Sequence, residues 1–111
     1  MEYFIIGERE LVLGFMLAGV KGVAVTNRHD ALDAFHMVTG SGNLVGALAK
    51  ENRPKVLILT EDVSDMLSKE VLDWQMKGEA PLIVEIPGLQ GRIAGKKSLT
   101  ESIREAVGIQ I

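Results

Sequence analysis

Apolar residues gather into four short runs, at residues 3–6, 23–26, 56–60 and 82–86, separated by stretches with the apolar spacing of a helix. The first three runs are apolar at successive positions rather than alternate ones, as strands covered on both faces are. The fourth, Leu82-Ile83-Val84-Glu85-Ile86, lies between Pro81 and Pro87 and carries a charge, which suits an edge strand. After the first run, Leu11, Phe15 and Ala18 form a helical stripe with Val12 and Met16 beside it. Val63, Leu67, Val71 and Trp74 form a second stripe, and Gly78 follows as its C-terminal cap. Asn27 with Asp30 marks another helix start, the asparagine oxygen capping free amides. The stretch Gly40-Ser41-Gly42-Asn43 is expected to break the region between Asp30 and Glu51 into two shorter helices. Ser98-Leu99-Thr100-Glu101 has the spacing of a capping box and opens a terminal helix over about residues 98–108. Leu99, Ile103 and Val107 share one face of that helix, and Gly108 ends it.

The order is therefore βαβαβαβα. Crossovers of this length join parallel strands and are right-handed, so helices lie on both faces of the sheet. The first and third runs, the most evenly apolar, belong at the centre, and the Pro-bracketed fourth belongs at an edge. The expected architecture is a Rossmann-like α/β fold with a four-stranded parallel sheet in the order 2-1-3-4. At 111 residues the chain is expected to form one domain spanning 1–111. It contains no repeat, low-complexity tract or interdomain linker.

Composition narrows the function classes. The net charge of −3 gives no basic footprint for nucleic acid, so no nucleic-acid partner is expected. The absence of cysteine excludes disulfides, thiolate zinc sites and cysteine nucleophiles, and it fits a reducing compartment. The apolar opening at residues 3–6 lacks a basic flank and stops at Gly7, so no signal peptide is expected. No apolar run approaches the roughly 18 residues of a membrane span. A soluble chain is expected, one that can still belong to a membrane-attached complex.

In a parallel α/β sheet, ligands bind at the carboxyl ends of the strands, and those loops contain only fragments of reactive motifs. The loop from Gly88 to Ser98 carries Gly95-Lys96 before a helix, as a phosphate loop does. Gln90 stands where that motif needs glycine, and Lys97 stands where it needs Ser or Thr to hold magnesium. Gly40-Ser41-Gly42 with Gly46 follows a helix, whereas a dinucleotide fingerprint follows the first strand. Glu8 and Glu10 after the first strand, with Glu61 and Asp62 after the third, fall short of a phosphoacceptor receiver's aspartate pair and distant lysine. They also suit helix starts, where the dipole favours negative charge. His29 and His36, seven residues apart, come with no third ligand pattern for a metal. The expectation is no catalytic residue, no cofactor and no metal, hence a binding or structural part. The alternative is a small regulatory domain that senses a nucleotide or phosphate through Arg92, Lys96 and Lys97.

The segment Ile5-Ile6-Gly7-Glu8-Arg9-Glu10, followed by Gly14-Phe15-Met16-Leu17-Ala18-Gly19-Val20, resembles the F subunit of V/A-type ATPases. Residues 56–61 resemble that family's third strand with its Thr-Glu ending. Residues 81–87 resemble its proline-flanked fourth strand, and residues 98–111 its terminal helix. Two stretches depart from the pattern: residues 40–46, where the family has an acidic helix, and the long loop 88–97. The resemblance implies a non-catalytic central-stalk (rotor) subunit that pairs with the coiled-coil D subunit. The resulting shaft would turn inside the catalytic A/B head and couple ATP synthesis or hydrolysis to proton or sodium movement through the membrane rotor. It also implies a cytoplasmic location, peripheral to the membrane. Two segments are candidates for the contact. One contains Phe15, Leu17 and Val20, where Gly14 and Gly19 permit close backbone approach. The other is the terminal face of Leu99, Ile103 and Val107, with Ile109 and Ile111. Packing within the chain's own domain competes with partner contact at both.

Overall fold

The two most evenly apolar runs become the two central strands. In the structure, a computed structural model that describes residues 1–41 and 47–89, β1 (Tyr3–Gly7) pairs in parallel with both β2 (Lys21–Ala24) and β3 (Val56–Thr60). β3 pairs in parallel with β4 (Leu82–Ile86), giving the strand order β2-β1-β3-β4. The parallel sheet, its order and its α/β class are those expected from the hydrophobic pattern. Ile5, Ile6, Leu57 and Leu59 lose all contact with water, as side chains on strands covered from both faces must.

β2 starts and ends earlier than the run at residues 23–26. Lys21 and Gly22 pair with Phe4 and Ile5, whereas Val25 already lies past the strand. As an edge strand it is half-exposed, and its apolar run reflects the single buried residue Val25 more than two covered faces.

The two faces of the sheet carry unequal cores. On one, Phe4, Ile6, Leu57, Leu59 and Ile83 meet α2 (Arg28–Thr39), α3 (Glu61–Met66) and α4 (Ser68–Lys77). On the other, Ile5 and Ile58 meet α1 (Arg9–Leu17), chiefly through Val12. Val12 lies over Gly22, where a Cβ would come within 2.4 Å of the Ile5 side chain; the glycine lets α1 sit close on β1 and β2.

Helix ends follow their local chemistry. The Asn27 side chain accepts from the Asp30 amide at 2.9 Å, capping α2 as anticipated. Gly40 and Gly78, both left-handed with φ near +70°, end α2 and α4. The stripe Val63, Leu67, Val71 and Trp74 is buried throughout, but it runs over two helices rather than one, since the backbone leaves helical geometry at Leu67. Beyond the break at Gly40, the second helix expected before Glu51 reduces, among the described residues, to one 3-10 turn at Lys50–Asn52. The terminal helix expected at 98–108 lies outside the described residues.

Side-chain bonds tie the outer layer together. Trp74 donates its indole N–H to the Pro81 carbonyl at 3.0 Å, and Arg28 grips Glu70 through two 2.8 Å contacts from α2 to α4. Because Arg28 is largely exposed, that ion pair contributes less than about 1 kcal/mol. Urea unfolding is expected to rank the contributions. Leu59→Ala should cost about 2–5 kcal/mol through lost burial and a residual cavity. Asn27→Ala should cost about 0.5–2 kcal/mol through the lost cap. A smaller loss for Leu59→Ala than for Arg28→Ala would contradict a core centred on the two middle strands.

Candidate partner interface

α1 is apolar around most of its circumference, because only Arg9 and Glu10 in Arg9–Leu17 are charged. A helix of this kind cannot bury every side against one sheet face. Val12 is its deepest residue, with Phe15 and Val20 half-buried on the core of Ile5 and Ile58. The expected stripe of Leu11, Phe15 and Ala18 is therefore rotated: Leu11 is half-buried and Ala18 exposed. An apolar pattern on every side cannot say which side faces inward.

The opposite side of α1 presents Leu13 (49% exposed), Met16 (50%) and Leu17 (91%). Gly14 adds an open notch on its flank: a Cβ built there meets nothing within 4 Å. Beside the notch, Leu11, Phe15 and Ala18 form a shallow apolar cleft that Leu89 closes at one end. Of the candidate contact residues, Leu17 is thus fully presented, whereas Phe15 and Val20 are shared between core and surface. Leu99, Ile103, Val107 and Ile109 lie outside the described residues. Sequence reasoning did not single out Leu13, although it stands four residues before Leu17 on the same helical face.

A second apolar surface continues on the same side of the sheet. α1 stands over β1 and β2 and its core reaches Ile58 of β3, and the register places Tyr3, Val56 and Leu82 in one row and Ile5, Ile58 and Val84 in the next. Leu82 is 65% exposed and Val84 40%, so the outer half of this face is only thinly covered. The mixed run at residues 82–86 could have flagged these two residues, because alternation there leaves Leu82, Val84 and Ile86 on one side.

At the carboxyl ends of the strands, where ligands of such sheets bind, polar groups engage one another. Thr60 fills the space beside Gly7, where a Cβ would lie 2.4 Å from its methyl group, and donates its hydroxyl to Asp62 at 2.5 Å. Glu8 accepts the Leu89 amide, Ser64 donates to Glu85 at 2.7 Å, and Glu61 is buried. His29 is exposed in the first turn of α2 beside Asp33, and His36 packs its ring against Phe35. Among the described residues no group of three or more His, Asp or Glu side chains could hold a metal ion. Arg92, Lys96 and Lys97 lie outside the described residues.

Comparison with known proteins bears on the same segments. The family model described as ATP synthase (F/14-kDa) subunit matches residues 4–105. The chain is 28% identical over 111 residues to the F subunit of the A-type ATP synthase of Thermococcus sibiricus, covering 100% of this chain and 98% of that protein. It is 27% identical over 112 residues to the F subunit of the A-type enzyme of Methanocaldococcus jannaschii, with 100% and 99% coverage. It is 30% identical over 115 residues to that of Pyrococcus abyssi, with 100% and 98% coverage.

The Glu8 contact can be checked by itself. Glu8→Ala removes the acceptor of the Leu89 amide, and a net bond of about 1 kcal/mol implies roughly fivefold faster amide exchange at Leu89. Unaltered exchange would mean that Glu8 does not hold the exit of β4.

Proposed function

The chain belongs to the ATP synthase (F/14-kDa) subunit family, and on that premise we propose that it is a central-stalk component pairing with the coiled-coil D subunit. It is a subunit of a rotary ATP synthase complex and not an enzyme by itself. In this reading it rides on the shaft between the catalytic A/B head and the membrane rotor, and helps couple ATP synthesis or hydrolysis to proton or sodium movement. Its place is peripheral to the membrane on the cytoplasmic side. None of its helices among the described residues is long and apolar enough to cross a membrane.

The observation that carries the pairing is the outer face of α1. Leu13, Met16 and Leu17 form a contiguous apolar surface on a regular helix, and such surfaces on small domains mark interaction sites. A long helical partner fits this shape, because side-chain ridges on one helix enter grooves on another. The notch at Gly14 lets the two backbones approach closely. The terminal stripe of Leu99, Ile103 and Val107, with Ile109, is the second proposed contact.

Reconstitution with the coiled-coil D subunit tests the pairing. Replacing exposed Leu13 and Leu17 by Glu should leave folding within about 0.5 kcal/mol of the wild type, as surface changes do. It should weaken the complex by roughly 10- to 100-fold, the loss typical of truncating or charging interface anchors. Undiminished affinity would remove α1 from the interface, and undiminished affinity after deletion of residues 98–111 would remove the terminal contact. Turnover of ATP by the isolated chain would overturn the non-catalytic reading.

A further inference from the structure

β4 ends two strands away from β1, yet the chain that leaves it is fastened to the start of α1. β3 lies between them in the sheet, and interstrand spacings of about 4.8 Å put the two strand ends roughly 10 Å apart. The Glu8 carboxylate, one residue past β1, nonetheless accepts the amide of Leu89, three residues past β4. The segment from Pro87 to Leu89 therefore turns back across the end of β3. Gly88 permits the approach, because a Cβ there would lie 2.8 Å from the Glu8 carboxylate oxygen. Leu89 adds a second point of attachment, its side chain closing one end of the cleft of Leu11, Phe15 and Ala18 on α1.

Glu8 makes this contact instead of capping its own helix. It stands at the position before α1 with an extended backbone, but its side chain makes no bond to the helix amides. Glutamate is also not among the side chains that cap well there. A two-point clasp of this kind fixes where the rest of the chain departs. That point is the flank of α1, beside the notch at Gly14 and on the helix that bears Leu13, Met16 and Leu17. The ten chain steps from Leu89 to Leu99 span at most about 35 Å. An origin displaced to β4, by about 10 Å, would forfeit much of that reach.

We propose that Glu8 is a positioning residue for partner binding. By clasping Leu89 to α1 it starts the terminal segment beside the helix that meets the coiled-coil D subunit. α1 and the stripe of Leu99, Ile103 and Val107 then engage that partner as one unit. The inference rests on the pairing proposed above and adds the link between its two contacts. Contacts joined at a fixed origin reinforce each other, because the second forms at the high local concentration set by the first. That reinforcement is bounded by the free energy of the clasp itself. A net hydrogen bond at Glu8 therefore supports a coupling of roughly fivefold.

A double-mutant cycle on the full chain, read as affinity for the coiled-coil D subunit, tests the link. Glu8→Ala should weaken binding roughly fivefold. Glu8→Gln keeps an oxygen that accepts the Leu89 amide and should bind within about twofold of the wild type. In a chain already carrying Ile103→Glu, which cripples the terminal contact, adding Glu8→Ala should cost less than about twofold. A full loss in that background means that Glu8 acts without the terminal segment, and it overturns the proposal alone. Wild-type affinity in Glu8→Ala overturns it too. So does an equal loss in Glu8→Gln and Glu8→Ala, which assigns the effect to charge at the start of α1. Hydrogen exchange on the free Glu8→Ala chain should show the Leu89 amide released while the amides of β3 stay protected. Lost protection in β3 would mean that Glu8 holds the fold rather than the exit, and overturns the proposal. Failure of the wild-type chain to bind the D subunit overturns the pairing, and undiminished binding by Ile103→Glu removes its terminal contact; either outcome takes the proposal with it.

Discussion

Two adjacent parallel strands, β1 and β3, must be shielded from water on both faces, and the rest of the molecule is arranged around that demand. Ile5 and Ile6 point to opposite faces, as do Leu57 and the neighbouring Ile58, and all four are buried. Parallel strands joined by crossover helices meet the demand by placing helices on both sides. The coverage is unequal. α2, α3 and α4 bring a continuous set of buried side chains to one face, whereas among the described residues α1 is the helix that stands on the other. Among the described residues, this less covered side carries two exposed apolar surfaces: the outer side of α1, and the part of the sheet face bearing Leu82 and Val84.

The ends of the strands are closed by contacts within the chain. Thr60 occupies the space beside Gly7, Glu8 receives the Leu89 amide, and Ser64 bonds Glu85 across from α3 to β4. These groups occupy the region where related sheets hold phosphates and cofactors, and here they lock strand ends and loop exits together. Such cross-linking suits a part that transmits load through a fixed shape.

Among the described residues, the outer face of α1 is the surface that the proposed pairing uses. The face of α1 offers area and shape, non-directional and dependent on close packing.

Much of the fold was legible from local pattern. The runs at 3–6 and 56–60 are apolar on successive residues, which specified central strands. Pro81, Glu85 and Pro87 specified an edge, and Asn27 and Gly78 marked helix ends through capping chemistry that depends only on near neighbours. The family signature around residues 5–20 was readable for the same reason, being contiguous in the chain. Other features depend on distant residues and left no local trace. α1 is apolar on nearly every side, so its fit on residues distant in the chain, Ile5 and Ile58 with Gly22 beneath Val12, decides which side is buried. The stripe from Val63 to Trp74 keeps helical spacing across the break at Leu67, because periodicity records which residues face the core and not whether the backbone bonds are continuous. Among the described residues, Leu82 and Val84 form a surface because they lie on β4, beyond the core that Val12 and Phe15 of α1 make with Ile5 and Ile58. Sequence determined the four strands and the order in which they pair. Tertiary structure decided which apolar residues remain for a partner, because exposure is set by what lies opposite a side chain and not by the residues beside it.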